Sequence, residues 1–593
     1  MTQLNDAPLP ASGNRTFERA PGIAARFADA AARERDAIAV CCGTRRMTYG
    51  ELDRRSSQLA HHLLRLGVDG ETLVGICMER SIETIVAMLA VVKSGAAYLP
   101  LDLIYPRDRL GFILDASRAP IVLTLSGNLD DVPPGDARRI CLDTDWDCIA
   151  GEPECAPDVA FDADSLAYVM YTSGSTGTPK GCQLTKGNLA RFFSAMDELY
   201  DFRSDDVWTF FLSSAFDVSG FEIWGALTHG ARLVVVPFVT SRTPQAFRQL
   251  LIDEQVTIIN LTPTGFLQLM QADEQHPEPG AYALRYVVLA GEALEMQSLR
   301  PWFERYGDQR PRIVNQYGPT ETTIFVTFRE VSWADLENRA GSMIGIGMPD
   351  VPLYLFDERL RPVPQGETGE LYVGGAAVAR GYHGRPDLTA ERFIDWRHPD
   401  AADAQPRRLY RTGDLARVDA NGDIEYLGRI DGQVKIRGFR IELGEIEATL
   451  TRHPDVRACV VVVREDRPGD KRLVAYVVPA GRTPTVPAMR AHLLAALPDY
   501  MVPAAFVSMP QLPQNENGKL DRKALPAPDR SRPALSAEYA EATDAGEREL
   551  CDAFGDLLGI DGVGRDDNFF ELGGNSLLAT RLLEGIRQRR IAA

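Results

Sequence analysis

The sequence predicts an α/β protein with a large layered N-terminal domain, a small α+β domain and a short all-α segment. Apolar, β-rich stretches such as 73–77 and 286–290 alternate with amphipathic stretches such as 81–93. This alternation is typical of layered α/β domains. After Asp431 the pattern restarts with a helix-like segment, 442–453, and two strand-like ones. Beyond a proline-rich run, only helical spacing follows, which indicates a third, all-α part.

Composition divides the chain further. At 593 residues it is too long for one ordinary core. The first twenty residues are polar, and the proline-rich, charged run near 525–535 is typical of a semi-extended linker. The predicted parts are a flexible N-terminus (1–20), an N-terminal core domain (21–430), a C-terminal α+β domain (431–526), a linker (527–543) and an all-α domain (544–593).

Charge and cysteine usage exclude several classes of protein. A formal net charge of −19 argues against nucleic acid or an anionic membrane as the main partner, because both are polyanions. Nine scattered cysteines without a C-x-x-C pair suit reduced thiols. The start of the chain has no charged-then-apolar pattern, and no run of eighteen apolar residues occurs. We therefore expect a cytoplasmic protein with no membrane span.

The run 171–181, Tyr-Thr-Ser-Gly-Ser-Thr-Gly-Thr-Pro-Lys-Gly, predicts a phosphate-binding loop. Its glycines let backbone N–H groups approach an anion, its hydroxyls donate hydrogen bonds, and its lysine adds a positive charge. A buried strand, 165–171, leads into it, which disfavours the alternative of a simple surface linker. The run differs from the P-loop pattern, because no Ser or Thr follows the lysine. The run therefore predicts a protein that uses ATP. The residues predicted to bind its phosphates are Thr172, Ser173, Gly174, Ser175, Thr176, Gly177 and Lys180.

Further motifs stand in a fixed order along the chain. They occupy 47–52, 93–102, 315–322, 369–375, 410–414, 428–438 and 517–519, with Leu-Gly-Gly-Asn-Ser at 572–576. Together with the phosphate loop they resemble the adenylation domains of nonribosomal peptide synthetases, in the adenylate-forming superfamily, followed by the attachment site of a peptidyl carrier domain. The resemblance covers nearly everything from about residue 21. It implies an adenylate-forming core and a mobile C-terminal subdomain.

The chemistry implied is ATP-dependent activation of an amino acid as aminoacyl-AMP, with release of pyrophosphate, and transfer to a phosphopantetheine thiol. The substrate carboxylate is already a nucleophile, so the site must supply positioning and charge neutralisation. The implied cofactors are ATP, Mg²⁺ and phosphopantetheine. The implied partners are the amino acid, a carrier domain in cis or trans and a phosphopantetheinyl transferase, and some relatives also use an MbtH-like protein.

The resemblance assigns roles to individual residues. Lys519 would bridge the substrate carboxylate and ribose, Glu321 would hold Mg²⁺, and Thr320 would lie beside the α-phosphate. Taken singly, such residues are also common as caps, turns or solvated charges. Tyr317 would stack on adenine, and Asp414 would accept hydrogen bonds from both ribose hydroxyls. Apart from the phosphate loop, the implied ATP-binding residues are Gly291, Glu292, Ala293, Asn315, Tyr317, Gly318, Asp414 and Arg429.

Two assignments concern movement and loading. The family hinge maps to Asp431, with a simple interdomain turn as the alternative. Ser576 would carry phosphopantetheine, although an N-cap serine opening a helix at Leu577 is the alternative. Only seventeen residues follow Ser576, so we expect a partial carrier domain.

The family's substrate pocket maps to Asp217, Val218, Phe221, Thr264, Val288, Ala290, Gln316, Ile324 and Phe325. Asp217 would pair with the substrate ammonium, and the rest of the pocket is uncharged, so charged side chains would be rejected. We expect a small-to-medium neutral amino acid, branched aliphatic or cyclic imino, with an aromatic one as the alternative. The alternative classes are a carboxylate–CoA ligase, disfavoured by Asp217 and Ser576, and a non-catalytic interaction module.

Overall fold

The structure is a computed structural model. It describes residues 9, 17, 20–174, 178–338, 341–397, 405–431, 433–436, 438–466, 471–513, 520–533, 535, 537–574, 578–579, 582–583 and 586. By internal contacts these residues form two compact units. The core unit comprises 1–103, 110–172 and 180–431, and the C-terminal unit comprises 104–109, 173–179 and 432–593. Most of the predicted flexible N-terminus lies outside the described residues, but the N–H of Leu9 donates to the carbonyl of Leu353 at 2.8 Å.

The first part of the core unit confirms the predicted alternation. The strand predicted at 73–77 is present with those bounds, and the helix predicted at 81–93 begins after Ser81, whose hydroxyl caps it by accepting the N–H of Thr84. The elements are α1 (Ile23–Arg33), β1 (Ile38–Cys42), β2 (Arg45–Thr48), α2 (Tyr49–Arg65), β3 (Leu73–Cys77), α3 (Ile82–Lys93), β4 (Ala97–Pro100), α4 (Arg107–Ser117), β5 (Ile121–Thr124), β6 (Arg138–Cys141), α5 (Trp146–Ile149) and β7 (Leu166–Thr172).

The middle part carries the strands that position the site. Thr185 and Asn188 form a reciprocal capping box at the start of α6, which fixes the chain direction after β8. The elements are β8 (Lys180–Thr185), α6 (Lys186–Leu199), β9 (Val207–Phe210), α7 (Val218–Leu227), β10 (Arg232–Val235), α8 (Phe238–Arg242), α9 (Pro244–Asp253), β11 (Ile258–Leu261), α10 (Pro263–Glu274), β12 (Tyr286–Leu289), α11 (Arg300–Tyr306) and β13 (Arg312–Asn315).

The last part of the core unit is mostly antiparallel. Its elements are β14 (Thr327–Val331), α12 (Trp333–Asn338), β15 (Ser342–Gly347), β16 (Leu353–Phe356), β17 (Thr368–Gly374), β18 (Gly381–Tyr382), α13 (Pro386–Arg392), β19 (Phe393–Trp396), β20 (Arg407–Val418) and β21 (Ile424–Arg429).

The core unit contains two large sheets. One has the order β16-β17-β20-β21-β15-β14-β13-β12-β11-β9-β10-β1-β2, and the other has the order β18-β8-β7-β4-β3-β5-β6. Strands β11, β12 and β13 are parallel neighbours, with Leu261, Leu289 and Asn315 in register. Their carboxyl ends therefore lie side by side, which is where open α/β sheets place ligands.

The C-terminal unit holds the predicted α+β domain. Its three-stranded sheet has the order β24-β25-β26. Leu473, Ala475 and Val477 of this sheet pack with Ile446 and Leu450 of the neighbouring helix in a small apolar core. The elements are β22 (Val434–Ile436), β23 (Phe439–Ile441), α14 (Leu443–Thr451), β24 (Val456–Glu465), β25 (Lys471–Pro479), α15 (Val486–Leu494), β26 (Ala505–Ser508) and α16 (Ala545–Leu558).

The final part of the C-terminal unit is helical, as expected. Asp544 caps α16 by accepting the N–H of Glu547, and Gly559 ends the helix with φ +71°, a left-handed conformation that glycine adopts readily. Leu558, Phe569 and Leu572 form a small buried cluster behind it. In the described part of the chain, no helix combines the length and the apolar character that a membrane crossing requires.

Candidate active site

The candidate site lies in the core unit at the carboxyl ends of β11, β12 and β13. Ala290 directly follows β12, and Gln316 directly follows β13, so strand register places them next to each other. Gly291 has φ +89°, which turns the chain sharply after β12. The next residue, Glu292, accepts the N–H of Thr264 at 3.0 Å. Three predicted binding segments therefore meet at one sheet edge.

A buried charge cluster joins residues that are far apart in sequence. The Nζ of Lys180 lies 3.2 Å from a carboxylate oxygen of Glu321. It also donates to the hydroxyl of Tyr382 at 3.0 Å, and that hydroxyl donates to Glu321 at 2.7 Å. All three side chains are buried. Because buried charges are stable only when paired, this triangle holds one cation and one carboxylate ready in a water-poor place.

A strained turn follows Glu321. Thr323 and Ile324 have φ +63° and +65°, although both are β-branched residues for which this left-handed conformation is costly. Gly318 permits the fold-back, since a Cβ there would overlap the carbonyl oxygen of Ile324. The turn presents the hydroxyl of Thr320 and the N–H of Ile324 to Asp217. The strained backbone of Thr323 and Ile324 thus belongs to the same turn that places the hydrogen-bond donors of Asp217.

Asp217 is the buried acid of the site. It is 6% exposed, and its Oδ2 atom has no hydrogen-bond partner among the described residues. Burial, and after it the negative charge of Glu321, raise the pKa of Asp217 to about 6, against the opposing effect of hydrogen bonds from Thr320, Val218 and Ile324. A buried carboxylate with an unused oxygen is suited to receive a cation from a ligand.

A second acidic centre is built around Asp414. One of its oxygens accepts the hydroxyl of Tyr317 at 2.5 Å, and the other accepts a guanidinium N–H of Arg429 at 2.9 Å. Arg429 also donates to both carboxylate oxygens of Asp431, at 2.8 and 2.6 Å. Gly413 permits this packing, because its φ is +76° and a Cβ would lie 2.9 Å from the Arg429 guanidinium. The predicted hinge residue is therefore tied to the predicted ribose site through one arginine.

The predicted pocket residues share an apolar environment. Phe221 and Phe325 contact each other edge to face, with ring centroids 5.5 Å apart, and Phe192 packs against both. Gln316 is polar, like Asp217 and Thr264. It is 2% exposed, and neither polar atom of its amide has a hydrogen-bond partner in the described residues. Val218 is partly buried against the main core cluster. The members of that cluster at the site are Phe221, Val288, Ala290, Tyr317, Ile324 and Phe325.

The phosphate loop is described at its two ends. Thr172 ends β7, and its hydroxyl is buried without a partner among the described residues. Ser173 and Gly174 group with the C-terminal unit, where the hydroxyl of Ser173 donates to the carbonyl of Arg440 at 2.8 Å. The predicted residues Ser175, Thr176, Gly177, Lys519 and Ser576 lie outside the described residues.

Two residues near the site escaped the sequence analysis. Tyr382 lies 202 residues from Lys180 and reaches it because β18 pairs with β8, with Tyr382 opposite Cys182. Glu222 lies on α7 and accepts the N–H groups of Phe211 and Leu212, at 3.2 and 3.1 Å, which holds the segment that leads to Asp217. For Glu222 the available signal was a charged residue inside the apolar stretch 218–227, whereas the residues around Tyr382, Arg-Gly-Tyr-His-Gly-Arg, gave no such signal.

Glu222 provides a test of this supporting role. Burial raises the pKa of Glu222 to about 8, so its folded-state pKa exceeds the ordinary 4.5 and the folded protein binds the proton more tightly. Its contribution to stability is therefore present at low pH and is lost as pH rises through about 8. We expect Glu222→Gln to remove this loss, so that the free energy of unfolding, from urea titrations between pH 6 and 9, declines less steeply than in the wild type. Equal slopes would contradict the assignment.

Comparison with protein families matches three segments of the chain. Residues 27–383 match the family described as AMP-binding enzyme, and residues 445–519 match the AMP-binding enzyme C-terminal domain. Residues 548–591 match the phosphopantetheine attachment site family. The three matches follow the order of the parts predicted from sequence.

Among known sequences, the chain is 47% identical to a dimodular nonribosomal peptide synthase of Bacillus subtilis over 95% of its own length. It spans only 24% of that relative and 7% of malpinin synthetase of Mortierella alpina, to which it is 43% identical over 94% of the chain. It is also 40% identical to syringomycin synthase SyrB1 of Pseudomonas syringae, with 95% of the chain and 90% of that protein covered.

Solved structures give the same relationship. Holo-PA1221, an NRPS protein containing adenylation and PCP domains, superposes with a TM-score of 0.79 at 29% identity, covering 96% of the chain and 92% of that structure. NpsA-ThdA of Klebsiella oxytoca, an artificially fused adenylation-PCP di-domain, superposes with a TM-score of 0.72 at 25% identity, covering 93% and 100%.

Proposed function

We propose that this chain activates a neutral amino acid and loads it onto a carrier thiol. The premise is that the chain belongs to the AMP-binding enzyme family, in its nonribosomal peptide synthetase branch. The amino acid carboxylate attacks the α-phosphate of ATP, the bond to pyrophosphate breaks, and aminoacyl-AMP forms. A phosphopantetheine arm on the carrier domain would supply the thiol that accepts the aminoacyl group, with AMP as the leaving group. The observation that carries the proposal is the buried Asp217 with its unused oxygen, beside the Lys180–Glu321 pair.

The substrate ammonium is recognised by Asp217. A charged acceptor that is nearly free of water binds a cation more strongly than one at the surface. The Thr320 hydroxyl and the Val218 and Ile324 N–H groups orient the carboxylate without neutralising it. This arrangement favours an α-amino acid over an aryl or fatty acid, which carries no ammonium.

The phosphates are handled by the Lys180 cluster. Mg²⁺ in nucleotide sites is typically held by one or two carboxylates together with the phosphates, so the buried Glu321 fits such an ion. Lys180 balances the negative charge of the phosphates. Tyr382 holds the side chains of Lys180 and Glu321 in position through its two hydrogen bonds. Lys519, from the C-terminal part of the chain, is proposed to bridge the reacting carboxylate and the ribose.

The nucleoside is placed by the Asp414 centre. The Tyr317 hydroxyl and the Arg429 guanidinium each occupy one oxygen of Asp414. The Tyr426 side chain makes a third hydrogen bond to Asp414. A carboxylate has about four acceptor sites, so about one remains for a ribose hydroxyl. The hydrogen bond from Tyr317 also fixes the orientation of its ring, which supports a role in stacking on adenine.

The side chain of the substrate is proposed to be neutral and of small-to-medium size, branched aliphatic or cyclic imino. Phe221 and Phe325, which contact each other, reduce the space for the substrate side chain. Asp217 is the only charged group among the predicted pocket residues. The unpartnered amide of Gln316 favours a substrate, or a bound water, that can hydrogen-bond to it. An aromatic amino acid is the alternative, because Thr264, Val288 and Ala290 resemble the lining of aromatic-selective pockets, and Val288 and Ala290 are buried in the apolar core.

Amino acid-dependent ATP–pyrophosphate exchange tests this function. We expect strong exchange with one neutral amino acid from a panel of proteinogenic, cyclic and hydroxylated compounds, assayed with and without an MbtH-like protein. Lys519→Ala should abolish exchange. Ser576→Ala should leave exchange intact but abolish loading after treatment with CoA and a phosphopantetheinyl transferase. Silence across the panel, or release of an acyl-CoA instead of a loaded protein, would refute the proposal.

A further inference from the structure

The residues 211–217 join β9 to α7 and end in Asp217, and they are termed here the receptor loop. In its second half, the N–H of Phe216 donates to the carbonyl of Ser213 at 3.0 Å, and the N–H of Ala215 donates to the hydroxyl of Ser213 at 3.1 Å. These bonds form a local turn. In its first half, backbone groups of the loop bond to side chains from other parts of the core unit.

Glu222 attaches the start of the receptor loop to the helix that follows it. One of its carboxylate oxygens accepts the N–H groups of Phe211 and Leu212, at 3.2 and 3.1 Å. Glu222 lies on α7, and Asp217 is the residue directly before that helix. Because backbone N–H groups away from water need a partner, this contact favours one position of the loop relative to Asp217.

Arg80 binds the same part of the loop from the other side. It follows β3, and its guanidinium donates to the carbonyl of Phe211 and, at 2.9 Å, to the hydroxyl of Ser241. Phe211 is thus held through its N–H by Glu222 and through its carbonyl by Arg80. Burial lowers the pKa of the Arg80 guanidinium, and the negative charge of Glu222 opposes that fall, so the two side chains attract each other. The planar guanidinium presents its donors in a fixed arrangement, which defines direction as well as distance.

A further bond to the loop comes from the neighbouring strand of the same sheet. Strands β3 and β4 are parallel, with Ile76 opposite Pro100, and Asp102 follows β4 as Arg80 follows β3. The carboxylate of Asp102 accepts the hydroxyl of Ser213. The receptor loop itself follows β9, which belongs to the other large sheet. The loop is therefore attached to both large sheets of the core unit.

We propose that Arg80 is a positioning residue for recognition of the substrate ammonium: with Glu222 it fixes the receptor loop, and so places the carboxylate of Asp217, without contacting the substrate. The inference rests on the proposed function for the role of Asp217, and it adds Arg80 to the groups that determine affinity for the amino acid. Displacing a binding group by about 1 Å can be costly even when the change lies far from the chemistry. Lys180 and Asp414 lie on β8 and β20, so the proposed nucleotide site does not depend on this loop.

Arg80→Gln tests the proposal, because it keeps a polar side chain but removes the charge and the paired donors. We expect the KM for the amino acid in ATP–pyrophosphate exchange to rise about tenfold, as for the loss of one hydrogen bond to a charged group. The KM for ATP should stay at its wild-type value. Hydrogen–deuterium exchange of the full chain should show faster uptake in a peptide covering 208–217, since the loop is less firmly held. Arg359→Gln, at an exposed arginine of the core unit, is the matched control and should change neither measurement.

Ser213→Ala loosens the same loop from its Asp102 side and provides a second variant if Arg80→Gln does not fold. We expect faster deuterium uptake in 208–217 and a rise in the KM for the amino acid of about fivefold, as for one neutral hydrogen bond. Folded variants with wild-type uptake would overturn the proposal, and so would a KM for ATP that rises by the same factor as the KM for the amino acid. If the wild type shows no amino acid-dependent exchange, the proposed function fails together with the role of Asp217, whereas deuterium uptake separately shows whether Arg80 fixes the loop.

Discussion

Glu321→Gln is expected to lower kcat for amino acid-dependent ATP–pyrophosphate exchange by about 100- to 1000-fold, the range found when one preorganised electrostatic group is removed from an active site. The amide keeps the shape of the carboxylate but loses its charge. It cannot pair with Lys180, 3.2 Å away, and is a poor ligand for the Mg²⁺ that accompanies ATP. The measurement is exchange rate against Mg²⁺ concentration, and we expect the half-saturating concentration to rise as well.

Tyr382→Phe is the graded companion of that variant. It removes the hydroxyl that bridges Lys180 and Glu321 but leaves the ion pair and the ring in place. We expect a loss of about 1 kcal/mol, or roughly fivefold in rate, which is typical of one hydrogen bond. Melting temperatures of both variants should be compared with the wild type, since leaving Lys180 buried without a counter-charge also destabilises the fold. A folded Glu321→Gln protein with wild-type exchange would show that the cluster is structural.

The sequence predicted local structure well because the signals were local. The apolar run at 73–77 and the capped, amphipathic run at 81–93 each contain their own determinants, and both elements were found where they were expected. Segments of this kind carry their periodicity and caps within about a dozen residues.

Other features depend on contacts that no local pattern contains. Tyr382 reaches Lys180 only because β18 pairs with β8. The left-handed conformation of Thr323 and Ile324 runs against the preference of β-branched residues, so tertiary contacts must impose it. The semi-extended linker was predicted from composition, and composition does not show that Arg532 of the linker pairs with Asp567. In each case the deciding partner is distant in sequence.

Asp217 should control both affinity for the amino acid and its dependence on pH. We expect Asp217→Ala to reduce kcat/KM for the amino acid about 100- to 1000-fold, because truncating one partner of a buried, hydrogen-bonded charge pair costs about 3–4 kcal/mol. The KM for ATP should stay near its wild-type value, since Asp217 is proposed to bind the amino acid and not the nucleotide. If the KM for ATP rises by a similar factor, the substitution has disturbed the whole site.

The pH profile gives the more specific test. The pKa of Asp217 lies at about 6, above the usual 3.8 of an aspartate, so the carboxylate becomes protonated as pH falls below about 6. Because the protonated acid cannot pair with an ammonium, log kcat/KM should fall with a slope approaching one between pH 6 and 5. Bound ammonium stabilises the carboxylate, so kcat at saturating amino acid should change less over the same interval. Asp217→Asn has no proton to lose and should show a flatter kcat/KM profile than the wild type. If the two profiles run parallel under saturating Mg²⁺ and ATP, then another group titrates and Asp217 is not the ammonium receptor.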